Sequence, residues 1–343
     1  MFNGALEGRL IEATHPIRQH VLAVALYHLF DTGLFDALNG VEPTTAAQCA
    51  EHLRMDESKL TGFFKYLKVE GIIEEQGETY MLTSKGQEYS DFRAWYIMLI
   101  GGYANTFFQI GEKLYQNSGW ATRDAMKVGV GSCGISHYDA IPLTSSLMKQ
   151  VENGCSKLLD LGCGNGMYLV EFCKQFPSIE AWGTEPSVGG YQEAKRLIQE
   201  SGLAERVRIS NFGAIEFFEQ DIDYEPDFIV LGFVLHEILG QEGEDGVIQF
   251  LNTVTTRYPD INMIIIEVDN RIDDPAIMRH GLSLAYYNPY YLLHYFTEQK
   301  LETESYWDNL FDRCGLEIVA KESTDPNIDS TGLEIGYLLK KRG

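Results

Sequence analysis

The chain has 343 residues, of which 45% are hydrophobic and 12% aromatic, enough for a packed core spread over about two domains. Lys and Arg number 27 against 50 Asp and Glu, and the formal charge of −23 disfavours nucleic acids and anionic membranes as partners. The sequence shows no apolar signal-peptide core, no stretch near the roughly 18 apolar residues of a membrane span, and six scattered cysteines without a disulfide framework. These features predict a soluble, reduced, cytoplasmic protein.

Residues 1–90 predict a winged-helix-like domain. A helix over 15–38 precedes a helix opened by Thr44 or Thr45, the turn "MDES", and a second helix ended by Gly71. The segment "IIEE-QGE-TYMLT" then predicts a hairpin. Such domains bind DNA in some proteins and mediate dimerisation in others. With 7 Lys and Arg against 13 Asp and Glu, this part lacks the basic face of a nucleic-acid reader, which favours dimerisation.

Residues 91–150 are aromatic and glycine-rich, and they predict a helical linker or a lid over a pocket. Arg123 follows Trp120 and precedes the glycine-rich "KVGVGSCGISHYD". Its planar guanidinium either binds a substrate carboxylate or forms a surface salt bridge. Asp124 and Asp139 are available in the same segment if the substrate has a cationic tail.

Residues 151–343 predict an α/β domain with a doubly wound, Rossmann-like sheet. The apolar segments "KLLDLG", "EAWGTE", "RVRISN", "DFIVLGF" and "MIIIEVD" alternate with helical segments. That alternation is typical of parallel strands connected by helices. The tail adds one more helix and an antiparallel hairpin at the sheet edge.

The segment "KLLDLGCGNG" predicts a nucleotide site at the end of the first strand. Asp160 ends the strand, and the glycines that follow let a ligand approach main-chain N–H groups at a helix start. Glu185 ends the second strand, where a carboxylate can accept both hydroxyls of an unphosphorylated ribose. A NAD-binding Rossmann enzyme is the competing interpretation, but it would carry the wider Gly-x-Gly-x-x-Gly spacing.

Residues 158–270 resemble the class I S-adenosylmethionine (SAM)-dependent methyltransferases, with "DLGCGNG" as the cofactor loop and "GTE" as the ribose strand. The resemblance implies SAM as cofactor and places the adenine near Asn211 to Ala214, although "SNFGA" lacks the aspartate of the common pattern. The expected cofactor-binding residues are Asp160, Gly162, Gly164, Asn165, Glu185, Phe212, Gly213 and Phe233. The acidic front end is similar to that of small-molecule methyltransferases of the plant O-methyltransferase type, which implies a homodimer.

His236 and Glu237 follow the fourth strand, at the edge where doubly wound sheets carry reactive groups. His236 has three interpretations. It is a structural histidine, the general base of an O-methyltransferase, or one of two metal ligands. The last requires a partner, and His294 in "AYYNPYYLLHYF" lies 58 positions later, after the fifth strand.

The histidine pair resembles a narrower family, the C-methyltransferases of 2-oxo acids, which include the phenylpyruvate and 2-ketoarginine enzymes. The resemblance implies that His236 and His294 hold an iron or zinc ion that the substrate chelates. A cation on the ketone oxygen stabilises the enolate needed for attack from C3. Arg123 and Glu237 complete the expected catalytic set. The acidic chain favours 2-ketoarginine as substrate, whereas the aromatic lid favours phenylpyruvate.

The sequence therefore predicts a homodimeric, SAM-dependent C-methyltransferase of a 2-oxo acid, with no nucleic-acid or membrane partner. One alternative is a metal-free O-methyltransferase with His236 as base. A DNA-binding regulator that senses the cofactor is another, disfavoured by the charge of the front domain.

Overall fold

The computed structural model describes residues 4–40, 42–151 and 156–343. The chain forms two compact units, Met1–Gly101 and Gly102–Gly343, each with its own core. Within the described ranges no helix combines the length and the apolar character needed to cross a bilayer. The five cysteines in those ranges are free thiols, and Cys155 lies outside them. The predicted assignment of dimerisation, lid and cofactor roles to 1–90, 91–150 and 151–343 stays a prediction.

The first unit is helical with a small sheet. Its helices are α1 (Gly4–Asp31), α2 (Leu34–Leu38), α3 (Ala46–Leu53), α4 (Glu57–Val69), α5 (Ser84–Asp91) and α6 (Arg93–Trp95). Its strands are β1 (Thr44–Thr45), β2 (Ile73–Gln76) and β3 (Thr79–Leu82), antiparallel in the order β1-β3-β2. A π-helix, Tyr96–Gly102, follows α6. The predicted order of helix, turn, helix and hairpin is present.

Local sequence explains most of these boundaries. Thr45 and Gln48 form a capping box at the start of α3, and Asp56 caps α4. The first helix differs from the prediction: it begins eleven residues earlier and ends before Gly33, whose φ of +81° is left-handed. Residues 5–20 of α1 are exposed, so they carry no core-facing apolar periodicity to reveal the helix.

The second unit is built on a seven-stranded sheet. Its strands are β4 (Lys157–Leu161), β5 (Glu180–Thr184), β6 (Val207–Ser210), β7 (Phe228–Gly232), β8 (Asn262–Val268), β9 (Leu316–Ser323) and β10 (Glu334–Lys341). The order is β6-β5-β4-β7-β8-β10-β9, with five parallel strands and an antiparallel hairpin of β9 and β10 at one edge. The predicted doubly wound α/β sheet and its edge hairpin are confirmed.

Helices cover both faces of this sheet. They are α7 (Ala104–Lys113), α8 (Ala125–Ser136), α9 (Ala140–Met148), α10 (Met167–Gln175), α11 (Val188–Glu200), α12 (Ala214–Glu219), α13 (Leu235–Arg257), α14 (Asn288–His294) and α15 (Glu304–Arg313). Successive strand residues alternate between two cores: Leu158 packs with the side of α9 and α10, and Leu159 with the side of α13 and α15. Each such buried aliphatic side chain contributes roughly 1.5–3 kcal/mol. The helices on the two faces therefore hold the carboxyl ends of β4, β5, β7 and β8 along one edge of the sheet.

Candidate active site

The loop after β4 turns into α10 through three glycines with left-handed backbone angles. Their φ values are +85° at Gly162, +56° at Gly164 and +79° at Gly166. A Cβ atom at Gly162 would lie 2.8 Å from Val234 Cγ2, and one at Gly164 would lie 2.9 Å from Cys133 Sγ. Conformation and space therefore both exclude larger residues. A ligand can approach the main chain closely at this helix start.

Two buried carboxylates face the glycine loop. Glu185 accepts hydrogen bonds from the backbone N–H groups of Gly164 at 3.1 Å and Ser187 at 2.8 Å. Asp160 Oδ2 is buried and accepts no hydrogen bond from the described residues. Burial, and secondarily Glu185, raises the pKa of Asp160 to about 8, and burial raises the pKa of Glu185 to about 7. Such carboxylates favour a ligand that brings an ammonium group and hydroxyl donors.

The other predicted cofactor residues lie along the same edge of the sheet. Asn165 is buried in the glycine loop, where its Oδ1 accepts the N–H of Met167 at 3.2 Å. Asn211, after β6, donates to the carbonyl oxygen of Glu185 at 2.7 Å. The remaining three are Phe212 and Gly213, before α12, and Phe233, after β7 with φ of +59°. Their roles in cofactor binding stay predictions.

His236 lies in the first turn of α13 and is held by a buried carboxylate. Its backbone N–H donates to Glu267 Oε1 at 3.1 Å, and its Nδ1 lies 2.8 Å from Glu267 Oε2. Glu267 on β8 is only 1% exposed. Burial alone would lower the pKa of His236, but Glu267 outweighs it and raises that pKa above the ordinary value. The contact assigns the Nδ1 proton and leaves Nε2 with a lone pair, which the Gln299 amide nitrogen faces at 3.4 Å.

His294 ends α14 and presents the same tautomer. Its Nδ1 donates to the Tyr290 carbonyl oxygen at 2.7 Å, so Nε2 carries the lone pair. That Nε2 is buried and has no hydrogen-bond partner among the described residues. Burial and the nearby His236 lower the pKa of His294 well below its ordinary value. A neutral imidazole with an unsatisfied buried acceptor suits metal ligation, whereas its lowered pKa makes it a weak proton acceptor.

The structure brings the two histidines together. Their ring centroids lie 5.3 Å apart with an interplanar angle of 71°. Both Nδ1 atoms contact oxygen acceptors, the arrangement that orients metal-bound histidines in proteins. Within the described ranges, however, no group of three or more His, Cys, Asp or Glu side chains is placed to hold a metal. The two imidazoles could therefore supply two ligands at most, and their assignment as a metal site stays a prediction.

Arg123 lies beside the pair, in an ion pair with Glu237. Arg123 Nη2 is 2.8 Å from Glu237 Oε1, and its Nη1 is 3.4 Å from the Tyr103 hydroxyl. The same Glu237 oxygen accepts from Gln299 Nε2 at 2.7 Å. Glu237 is thus engaged with Arg123 and Gln299, so it orients neighbours in this arrangement. Of the two interpretations of Arg123, the structure shows a salt bridge, which it forms with Glu237 next to the two histidines.

The segments that carry the two histidines are joined backbone to backbone. The N–H of Lys300 donates to the His236 carbonyl oxygen at 2.9 Å. A Cβ atom at Gly240 would lie 2.6 Å from Gln299 Cα, so only glycine permits this approach. The first turns of α13 and the residues after α14 therefore form one packed assembly.

Sequence reasoning missed Glu267, Gln299 and Tyr103. Glu267 had a usable signal, because a carboxylate in the otherwise apolar strand "MIIIEVD" is costly to bury unless it is paired. Gln299 and Tyr103 gave none, since polar and aromatic residues are common throughout their segments. Of the two aspartates considered for a cationic tail, Asp124 caps α8 and Asp139 precedes α9.

The chain is similar over nearly its whole length to a named methyltransferase. It is 40% identical over 341 residues, covering 98% of this chain and 97% of the relative, to 2-ketoarginine methyltransferase of Streptomyces arginensis. The fold matches an O-methyltransferase family protein from Burkholderia thailandensis (15% identity, 98% of each chain, TM-score 0.66). It also matches human N-acetylserotonin methyltransferase in complex with SAM (13% identity, 99% of each chain, TM-score 0.67). No family model matches the chain.

Proposed function

This chain belongs to the SAM-dependent methyltransferase family that contains 2-ketoarginine methyltransferase, and from that premise we propose that it methylates C3 of a 2-oxo acid. The observation that carries the proposal is the His236/His294 pair, two buried imidazoles whose ring centroids lie 5.3 Å apart. The preferred substrate is 2-ketoarginine (5-guanidino-2-oxopentanoate), because the relative acts on it and the chain is strongly acidic. Phenylpyruvate-like acids are the second substrate class.

The proposed reaction replaces one C3–H bond by a C3–CH₃ bond. C3 loses a proton to a base, and the electron pair left at C3 attacks the methyl carbon of SAM. The S–CH₃ bond breaks with its electrons going to sulfur, so the sulfonium becomes the neutral thioether of S-adenosylhomocysteine. Asp160 and Glu185 are proposed to bind the amino group and ribose of SAM.

We propose that His236 and His294 hold an iron or zinc ion. When bound, the ion supplies Lewis-acid polarisation of the ketone oxygen, which makes the C3 proton more acidic. Glu267 and the Tyr290 carbonyl oxygen fix both imidazoles in the tautomer that this requires. Arg123 is assigned to the substrate carboxylate, for which it exchanges its present partner Glu237.

The test incubates the purified protein with SAM and 5-guanidino-2-oxopentanoate, and the product is followed by proton NMR. C-methylation gives a methyl doublet coupled to the C3 proton. An O-methyl singlet would instead support the alternative in which His236, paired with Glu267, acts as the base of a metal-free O-methyltransferase. Absence of any methyl transfer to 2-oxo acids would overturn the proposal.

Metal content tests the histidine assignment separately. Protein purified without chelator is expected to contain about one iron or zinc per chain. His294→Ala should lose that metal, while His52→Ala, an exposed histidine of α3, should retain it. Full activity in a metal-free wild-type preparation would contradict the assignment.

We also propose a homodimer formed through α1. This helix exposes large apolar side chains that a monomer would leave in water: Leu6, Leu10, Ile11, Ile17 and Val21. Sedimentation of the wild type should give twice the chain mass. Leu10→Glu combined with Ile17→Glu should give the monomer, whereas Glu12→Gln on the same helix should not.

A further inference from the structure

A second group of acidic side chains lies at the active-site edge of the sheet. Asp139 precedes α9, Glu334 begins β10, and Asp329 lies in the loop before it. Asp329 is 5% exposed and Glu334 is 4% exposed. Among the described residues no basic side chain offsets the charge of Asp139 or Glu334. Buried carboxylates without a cation are unfavourable, which calls for an explanation.

Packing places Asp139 and Glu334 side by side. A Cβ atom at Gly336 would lie 2.8 Å from Leu147 and 3.0 Å from Leu143, so α9 lies directly over β10. Asp139 is one helical turn before Leu143, and Glu334 is two residues before Gly336 on the same strand face. Both carboxylates therefore meet at the carboxyl end of the parallel strands, where Glu334 pairs with Val268.

Each of the two carboxylates accepts a hydrogen bond from a neighbouring donor. Asp139 Oδ1 accepts the N–H of Ala140 at 2.6 Å, and Glu334 Oε1 accepts the Thr324 hydroxyl at 2.7 Å. Burial, then Asp329, raises the pKa of Asp139 to about 7, and burial together with Asp139 raises that of Glu334 well above its ordinary value. A bound cation would offset that repulsion.

An independent feature points into the same space. The Tyr168 hydroxyl is buried, with the residue 6% exposed, and has no hydrogen-bond partner among the described residues. Ser136 lies near it but outside hydrogen-bonding geometry. Burial, and then nearby groups that include Glu334 and Asp139, raises the pKa of this hydroxyl well above its ordinary value. A buried hydroxyl near carboxylates, with its own acceptor lone pairs unused, is suited to a ligand that carries several N–H donors.

Aromatic side chains connect this cluster to the histidine pair. The Tyr290 ring lies 4.2 Å from the His294 ring, and the Tyr286 ring lies 5.8 Å from that of Tyr290. Burial, and then the nearby Asp139 and Glu334, raises the pKa of the Tyr286 hydroxyl well above its ordinary value. One side of the site therefore runs from the proposed reaction centre, along aromatic rings, to uncompensated carboxylates.

We propose that Asp139 and Glu334, with the added charge of Asp329, form the subsite for a guanidinium group at the far end of the 2-oxo acid. The planar guanidinium has five N–H donors and stacks on aromatic rings, so it matches two separate carboxylate oxygens and a tyrosine-lined approach. An ammonium ion would satisfy the charge but not this spread of acceptors. The inference rests on the proposed C-methylation and specifies which residues select the substrate.

The test compares two substrates of nearly equal shape, 5-guanidino-2-oxopentanoate and its neutral ureido analogue. We expect the wild type to prefer the guanidino acid in kcat/KM by about 100-fold, because a desolvated charge pair is lost with the urea. Glu334→Gln and Asp139→Asn should each reduce that preference at least about tenfold while kcat/KM for the ureido acid stays within threefold. Glu317→Gln, an exposed glutamate on β9, is the matched control.

The outcomes separate this inference from the proposed function. If the wild type methylates neither acid, C-methylation of 2-oxo acids itself fails. If it methylates both equally, or if both variants keep the wild-type preference, C-methylation stands and the subsite is refuted. Equal losses on both substrates would indicate a structural role and also refute it.

A measurement on the wild-type protein tests the subsite even if the variants do not fold. Propylguanidine should inhibit competitively against the guanidino acid, and propylurea should not. Equal inhibition by the two compounds, or none by either, would overturn the subsite.

Discussion

Replacing Glu267 with glutamine would remove the charge that orients His236 while preserving side-chain size. The two carboxylate oxygens accept from different donors, the His236 backbone N–H at 3.1 Å and the Nδ1–H at 2.8 Å. A glutamine offers one acceptor oxygen, and its NH₂ group must face the other donor. Either the backbone N–H loses its partner, or the imidazole changes tautomer and its Nε2 lone pair disappears.

The magnitude follows from these two contacts. A hydrogen bond to a charged group is worth about 1.5–3 kcal/mol, so losing one of two costs about 2 kcal/mol of stability. For a unit of this size that lowers the melting temperature by about 5 °C. Residues that orient a catalytic or metal-bound histidine typically contribute 10- to 100-fold, so we expect kcat/KM to fall by about that factor.

The assay is the initial rate of S-adenosylhomocysteine release over a range of 2-oxo acid concentrations, with thermal melting of the same samples. Glu205→Gln, an exposed glutamate between α11 and β6, is the matched control and should leave both quantities unchanged. A Glu267→Gln enzyme within twofold of wild-type kcat/KM would refute the claim that this carboxylate sets the His236 tautomer.

Two further predictions concern the cofactor loop. Gly164→Ala should weaken SAM binding at least about tenfold by calorimetry, because φ is +56° and the new Cβ would lie 2.9 Å from Cys133 Sγ. Gly111→Ala is the control, because a Cβ there would have nothing within 4 Å. An unchanged Kd of Gly164→Ala for SAM would contradict the argument. Asp160→Asn should raise the melting temperature of the ligand-free protein, and by more at pH 8 than at pH 5. The reason is that a carboxyl whose pKa is raised to about 8 on folding stabilises the fold below its unfolded pKa of about 3.9 and loses that contribution as pH rises toward 8. A gain that shrinks with pH would show that the Asp160 pKa is not raised.

The sequence predicted those parts of the site that depend on strand ends. Asp160 lies at the end of one recognisable apolar strand and His236 follows another. Because the carboxyl ends of parallel strands share one edge, their neighbourhood could be inferred without a structure. The glycine loop and Glu185 could be located in the sequence for the same reason, since each lies at the end of an apolar strand. The doubly wound parallel sheet followed from alternating strands and helices, and the C-terminal tail indicated the antiparallel hairpin at its edge.

The contacts of the side chains could not be predicted, because they join residues that are distant along the chain. Glu267 reaches His236 across 31 positions, and Arg123 reaches Glu237 across 114. Nothing local distinguishes an arginine in such a pair from one at the surface. The tautomers of His236 and His294 likewise depend on oxygen atoms that only the folded chain brings within reach.

The backbone contact between Gly240 and Gln299 has a consequence for how this enzyme can diverge. Residues 270–287 connect β8 to α14. The segment is anchored at its first residue, Asn270, whose backbone N–H donates to the Glu302 carbonyl oxygen. Insertions or deletions within residues 270–287 would leave the distance between the His236 and His294 rings unchanged. Substitutions in residues 270–287 would therefore alter the substrate side of the site while the contact at Gly240 keeps the two histidine-bearing segments together.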